Sequence, residues 1–282
     1  MKQTERYNLD PNRFITRIRT SDEFLGSLPK SDLRELPGDK REQALHRAIA
    51  AGALSLADHE RQQSSNELDA SLLELVSGMQ EFYEDSRRLE HLREEYGSPR
   101  NMSRTVKDQF YDCKETIIRF NDTLGEVINN GASQFNFGEL LTFMTNMFSA
   151  SNKHHVADFH EKAREAIIGM RNEMAVEQLL IVGGVEFRRG TPEEDERGGD
   201  FIIEGVPIDF KSKEFYAEKD RRDAEERGYD GSGILWSHIN FEDFEGKLAL
   251  PYDKCEAAFA KLKPELDAAI ATGKRLQVAH AI

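Results

Sequence analysis

GGDFIIEGVPIDFKSK, residues 198–213, decides how the second half of the chain folds. Read with period two, it turns back on itself at Glu204 and Gly205 as a short hairpin. The register then sets Ile203 opposite Val206, Phe201 opposite Ile208 and Asp200 opposite Asp209. One face collects Phe201, Ile203, Val206, Ile208 and Phe210 and is predicted to be buried. The other carries Asp200, Ile202, Pro207, Asp209 and Lys211. Directly opposed side chains on adjacent strands lie about 4.5–5.5 Å apart at Cβ, where like charges repel. Two facing carboxylates need a counter-charge, and a hard divalent cation such as magnesium, which takes carboxylate and carbonyl oxygens, would supply one.

The flanking sequence gives this hairpin neighbours. Residues 167–190, IIGMRNEMAVEQLLIVGGVEFRRG, read as the end of a helix, a glycine stop at Gly183 and Gly184, and a strand over Val185–Arg189. Downstream, Phe215–Arg227 is a charged helical stretch, and Gly233–Ile239 (GILWSHI) is a buried-type strand after a glycine loop. The predicted order is helix, three strands, helix, strand.

With an acid on the first helix, Asp200 on the second strand and the triplet Asp209–Phe210–Lys211 on the third, this stretch resembles the PD-(D/E)XK nuclease superfamily. The spacing of Gly169, Glu173 and Gly184 is similar to that of the archaeal Holliday-junction resolvases. The resemblance covers roughly residues 152–240. It implies a restriction-endonuclease-like αβββαβ core and magnesium- or manganese-dependent endonuclease activity on DNA, with RNA left open. By resemblance, the catalytic set is Glu173, Asp200, Asp209 and Lys211. The metal ligands would be Asp200, Asp209, the Phe210 backbone carbonyl and Glu173, with Glu177, one turn on, as the rival helix acid. Lys211 would orient or help deprotonate the attacking water and stabilise charge at the scissile phosphate. Gly199 stands where the family name has proline.

Across 282 residues the formal net charge is −14. The length suits two domains, a helical one over 1–150 and the nuclease-like one over 151–282. Nucleic-acid binders usually present a basic surface, and both halves here are acidic. Arg188, Arg189 and Lys213, with Lys211, Arg221 and Arg222 nearby, are the basic residues from which a small DNA-binding cleft is expected. The plainer reading is a generally solvated surface; a third is adaptation to a salty cytosol, where excess carboxylate aids solubility. No stretch reaches the apolar length of a membrane span, and MKQTERYNLD has no signal-peptide core. Cys113 and Cys255 are too few for a disulfide framework or a zinc site, so a reducing, cytoplasmic location is expected.

The first half reads as all-α. Residues 1–38 form an irregular lead-in with short helical pieces, and Asp39–Glu60 carries an apolar stripe of Ala44, Leu45, Ala48, Ile49 and Leu56. Leu68, Leu75, Phe82, Leu89 and Tyr96 then recur every seven residues, with Leu72 and Met79 between them. After GSPRN (97–101), Val106, Phe110, Cys113, Ile117, Phe120, Leu124 and Val127 follow at spacings of four and three. Two heptad stripes around a short loop predict an antiparallel coiled-coil hairpin over about 66–131, serving a homodimer or a protein partner, or else packed into a bundle with its own neighbours. Ser86 and Arg93 interrupt the seam. Phe137–Phe148 is expected as a buried helix and Asn152–Val182 as a long amphipathic one.

Weaker signals carry less. His154, His155 and His160 lack the i, i+4 spacing of a helical metal pair and read as surface histidines. Glu193–Glu196 reads as a solvated loop or a second cation site, and residues 230–233 (DGSG) as a turn. The tail is expected as a helix over Asp253–Thr272, kinked or divided at Pro264, stopped by Gly273 and followed by a strand at Leu276–His280. Two other functions compete with the nuclease: a non-catalytic interaction protein built on the hairpin, and a nuclease-like module that holds nucleic acid without cutting it.

Overall fold

A computed structural model describes residues 7–30, 33–63, 66–191, 199–226 and 231–273. The acidic run 193–196, Tyr229, Asp230 and the expected strand at 276–280 lie outside the described residues. The chain is mostly helical, with a small mixed sheet in its C-terminal half. It divides into two compact units, Met1–Met170 with Gly246–Leu248, and Arg171–Glu245 with Ala249–Ile282. The division falls inside a helix, between Met170 and Arg171, some twenty residues beyond the expected boundary at 150.

The first unit begins with α1 (Pro11–Arg19) and α2 (Asp22–Ser27), each N-capped by a side chain, Asp10 and Ser21. Next come α3 (Gly38–Gln62), α4 (Glu67–Tyr96) and α5 (Arg104–Gly131). The heptad positions Leu68, Leu72, Leu75, Met79, Phe82 and Leu89 are all buried, and Phe82 stacks on Phe120 of α5 at 4.0 Å. Ala70, Leu73, Val76 and Tyr83 of α4 are buried as well, so α4 is enclosed on several sides up to Tyr83. It packs against α3 and α5, so the hairpin is part of a bundle over this length. Beyond it a separate cluster of Leu89, Leu92, Met102, Phe110 and Cys113 closes the tip, where Ser86 is buried and Arg93 lies over the Phe110 ring.

A buried charge organises the other end of α4. Asp69 accepts from Tyr7, Arg13 and Arg17, which brings the lead-in helix onto the bundle. The Tyr7 hydroxyl is shifted far upward by burial and by this carboxylate. α6 (Phe137–Ser149) starts with a capping box between Asn136 and Glu139 and is buried as expected. α7 (Val156–Val182) gives its early residues to this unit, with Phe159 stacked on Phe148 at 4.0 Å.

The second unit contains the rest of α7, β1 (Phe187–Arg189), β2 (Phe201–Ile203), β3 (Val206–Lys211), α8 (Glu214–Glu226), β4 (Ile234–Trp236) and α9 (Tyr252–Thr272). Gly184 ends α7 at φ +66°. The strand order is β1-β2-β3-β4, with the first two pairings antiparallel and β3–β4 parallel. The hairpin register is Ile203↔Val206 and Phe201↔Ile208. Glu204 and Gly205 have φ of +50° and +82°, as a type I′ turn requires.

Phe201, Ile203, Val206 and Ile208 are buried against Ala175, Val176, Leu179 and Leu180 of α7 and against Leu262 and Leu266 of α9. α9 is one helix with Pro264 inside it, so the expected division does not occur. Pro264 is exposed, while the stripe Cys255, Ala258, Leu262, Leu266 and Ala269 keeps its packing on the other side. Where α7 enters this unit, Arg171 is 1 % exposed, with its guanidinium 4.3 Å and 3.9 Å from the Phe241 and Phe244 ring centroids.

Candidate active site

The third strand supplies the centre of the site. Alternation along β3 puts Asp209 and Lys211 on the face opposite Ile208 and Phe210. Asp209 is only 7 % exposed, and its Oδ2 lies 2.6 Å from Lys211 Nζ. The same ammonium is 3.3 Å from Asp220 Oδ2 of α8. Ala217, fully buried three residues earlier, turns this side of α8 toward the sheet. Lys211 is thus bracketed by two carboxylates. Burial works to lower its pKa, but hydrogen bonding and charge from Asp209, then Asp220, outweigh that and hold it above its ordinary value. At neutral pH it is an ammonium, a donor of charge and hydrogen bonds rather than a proton acceptor.

Asp200 immediately precedes β2, and its backbone carbonyl accepts from Gly190 N at 2.9 Å. Extending the ladder one step beyond Phe201↔Ile208 sets it across from Asp209. The helix acids behave differently. Glu173 Oε1 and Glu177 Oε1 are each 2.6 Å from the Arg189 guanidinium, through Nη1 and Nε. Arg189 pairs with Phe201, which pairs with Ile208, so Arg189 belongs to the apolar face. Its neighbour Arg188 pairs with Ile202, which pairs with Pro207, and so shares the face of Asp209 and Lys211. The glutamates and the Asp209–Lys211 pair therefore start from opposite faces of the sheet. Lys213, exposed ahead of α8, has its ammonium 5.5 Å from the Tyr216 ring centroid.

Comparison with protein-family models, with curated proteins and with solved structures found no match.

The donor chemistry suits a hard cation on one side of this arrangement only. The Asp209 carboxylate, Asp200 across the hairpin and the Phe210 carbonyl are oxygens of the type magnesium or manganese takes. Glu173 is not gathered with them: among the described residues, no three His, Cys, Asp or Glu side chains come together as a metal-holding group. Asp220 is the site residue that the sequence reading missed. Its one signal was the i, i+3 spacing from Ala217, on a helix otherwise read as charged throughout. Trp236, whose register partner is Lys211, has its ring centroid 4.2 Å from that of His238, the planes tilted by 38°, and borders the same face. His154 lies 3.5 Å from Glu42, and His160 shares a hydrogen bond with Thr145, so each meets a protein side chain.

Proposed function

We propose that the second unit is a restriction-endonuclease-like core of PD-(D/E)XK type and that the chain is a metal-dependent endonuclease, a hydrolase of phosphodiester bonds in DNA. The observation that carries this reading is the combination of the helix–three strands–helix–strand order, with its antiparallel, antiparallel, parallel pairing, and Asp209 beside Lys211 on the third strand. Asp200, Asp209 and the Phe210 carbonyl would hold magnesium or manganese. When bound, that ion would polarise the phosphate and lower the pKa of a water. Glu173 joins this set on resemblance alone.

The chain's own residues would act around that ion. Lys211, kept protonated by Asp209 and Asp220, would stabilise negative charge developing on the phosphoryl oxygens; its raised pKa argues against the role of base. Asp220 would orient the ammonium. Arg188 and Lys213, exposed near this face, would contact the DNA backbone. Arg189, engaged by two glutamates, is the weaker candidate for such a contact.

The test is incubation of wild type, Asp209→Asn and Lys211→Ala with branched, duplex and single-stranded DNA in magnesium or manganese over a range of salt. Wild type should cut, Asp209→Asn should not, and Lys211→Ala should be slower by about 10²-fold or more. A folded wild type that cuts none of these, or an Asp209→Asn variant that cuts as well, would sink the proposal. The second reading, a non-catalytic interaction protein, is favoured by one observation: the site's carboxylates already pair with lysine and arginine side chains. Among the described residues, no helix is long and apolar enough to cross a membrane.

A second copy of the chain is the partner we propose for the hairpin. Tyr111 and Ile118, seven residues apart on α5, are large apolar side chains left exposed. Deleting 66–131 would remove α4 from its bundle, so a surface change is the cleaner probe. Tyr111→Glu with Ile118→Glu should halve the mass measured by light scattering; an unchanged mass removes the hairpin from self-association.

A further inference from the structure

The first turn of α8 leaves two large aromatic side chains in solvent. Phe215 is 62 % exposed and Tyr216 46 %. The Lys213 carbonyl accepts from Tyr216 N at 3.1 Å and from Ala217 N at 3.2 Å, which fixes the turn that carries them. Ala217 is the buried residue of this turn, so it is anchored to the sheet without either ring.

The rings are set against each other rather than scattered. Their centroids are 5.7 Å apart with the planes at 62°, edge toward face. Lys213 Nζ is 5.5 Å from the Tyr216 centroid. Tyr216 is thus braced between a cation and its neighbour, and Phe215, the more exposed ring, offers a face. Their place relative to the cleavage residues gives this pair a use. Tyr216 lies one helical turn before Asp220, whose Oδ2 is 3.3 Å from Lys211 Nζ. Four residues of helix rise about 6 Å, fewer than two steps of a DNA strand at about 3.4 Å each.

The local charge has the opposite sign to that of the whole chain. Of the exposed charged residues from Lys213 to Arg222, three are cations (Lys213, Lys219 and Arg222) and two are acids (Glu214 and Glu218). Lys219 and Arg222 follow Phe215 at i+4 and i+7, on the same side of α8. A partner that is anionic and has flat faces of its own suits both the cations and the rings. A closed duplex buries its base faces in its own stack and shows such a platform only phosphates and groove edges. An unpaired base has a free π-face, whatever its identity.

Resting on the nuclease reading above, we propose that Phe215 and Tyr216 form a stacking platform for an unpaired base, so that the Asp209–Lys211 site acts on single-stranded DNA, free or as a flap beside a duplex, in preference to closed duplex. Lys213 and Lys219 take the phosphates on either side.

The experiment is fluorescence anisotropy of the full chain in EDTA, which separates binding from cleavage. The probes are an oligothymidine of about 12 nucleotides and the same strand with every base removed, which keeps the phosphates and has no π-face. Wild type, the double variant Phe215→Leu with Tyr216→Leu, and Phe215→Trp are compared. Both rings are exposed, so the leucines remove no core packing. Oligothymidine should bind tighter than the abasic strand by about tenfold or more, the scale of base–aromatic stacking. The leucine pair should lose that advantage and keep its affinity for the abasic strand, while Phe215→Trp retains the advantage. The proposal is overturned if wild type binds both strands equally or neither, or if the leucine pair leaves the oligothymidine affinity unchanged. A leucine pair that alters only the mass in light scattering also overturns it and assigns the rings to a protein contact. The same proteins are then given flap and duplex DNA in magnesium, where wild type should cut the flap faster. Base-dependent binding with no cutting sinks the nuclease reading and leaves the platform. Equal cutting of flap and duplex, unaffected by the leucine pair, does the reverse.

Discussion

Lys211→Met would take the cation from between two carboxylates, and its consequences differ from those of removing either acid. Asp209 is 7 % exposed, and the Lys211 ammonium at 2.6 Å is the cation that compensates it. Breaking a buried pair from one side costs about 3–5 kcal/mol, because the surviving charge stays buried without compensation. Lys211 itself is partly open to solvent, which argues for the lower end, about 3 kcal/mol. Asp209→Asn leaves a different survivor. The ammonium keeps Asp220 at 3.3 Å and gains an amide oxygen as acceptor. The expected cost there is about 1 kcal/mol, that of an ordinary hydrogen bond weakened rather than a charge abandoned.

Urea unfolding followed by tryptophan fluorescence measures this difference where it arises. Trp236 is the chain's single tryptophan and the register partner of Lys211, so its signal reports on the second unit rather than the first. The expected order of midpoints is wild type, then Asp209→Asn, then Lys211→Met. The double variant should regain most of what Lys211→Met loses, since no buried charge is left unpaired and Asp220, the other partner, is 41 % exposed. A Lys211→Met protein as stable as Asp209→Asn, or a double variant no better than Lys211→Met, would refute the bracketed-ammonium account.

The same pair sets a pH window. Lys211 has a folded pKa raised above its ordinary 10.5, so its contribution is complete below that value and fades as pH climbs through the raised one; the gap between wild type and Lys211→Met should be constant from neutral pH to about 10 and narrow above it. Gly233→Ala should destabilise the second unit by about 1–3 kcal/mol or more, because a Cβ there would sit 2.4 Å from the Pro207 carbonyl oxygen, in backbone that cannot rotate away; an unchanged urea midpoint would contradict the packing. Glu173→Gln and Glu177→Gln, both on the face away from Asp209, should each spare DNA cleavage and shift stability by about 1 kcal/mol or less, as exposed pairs do; loss of cleavage in Glu173→Gln alone would return Glu173 to the metal set that the resemblance implies. Arg188→Gln should lower DNA affinity and flatten its salt dependence more than Arg189→Gln does, and equal effects in a salt series would erase the distinction between the two faces.

The hairpin was legible because two independent constraints agreed: five alternating apolar residues and a glycine at the only turn that keeps them on one side. The observed pairing Phe201↔Ile208 has that register. The helix stop at Gly184 was legible for a similar local reason, a left-handed residue after an apolar run. What escaped the sequence was contact between distant segments. Asp220 reaches Lys211 only because α8 folds back on β3, and a charged helix does not announce which of its acids faces inward. The buried Asp69 likewise has its partners more than fifty residues away. Pro264 misled for the opposite reason. A local rule offered a kink or a division, and a continuous buried stripe on the other side of α9 kept the helix from dividing.

Arg189 shows how a small sheet can separate two sets of charges that sequence order brings together. It follows Arg188 directly, yet strand alternation sends the two side chains to opposite faces. On the apolar face a lone guanidinium beside the core would carry a desolvation cost, and Glu173 and Glu177, one helical turn apart, both reach it. The helix acids are therefore explained by packing before any metal is invoked. On the other face, Asp209, Lys211 and Asp220 alternate in sign, and Arg188 is the one of the two arginines on their side. An incoming phosphate would meet net negative charge from the acids unless the ammonium, Arg188 or a bound cation offset it. Catalysis on this scaffold thus depends on charge being added to the Asp209 face, whereas a purely structural role needs nothing beyond the pairs already made. The response of the Asp209 face to magnesium is where the nuclease and the interaction protein part.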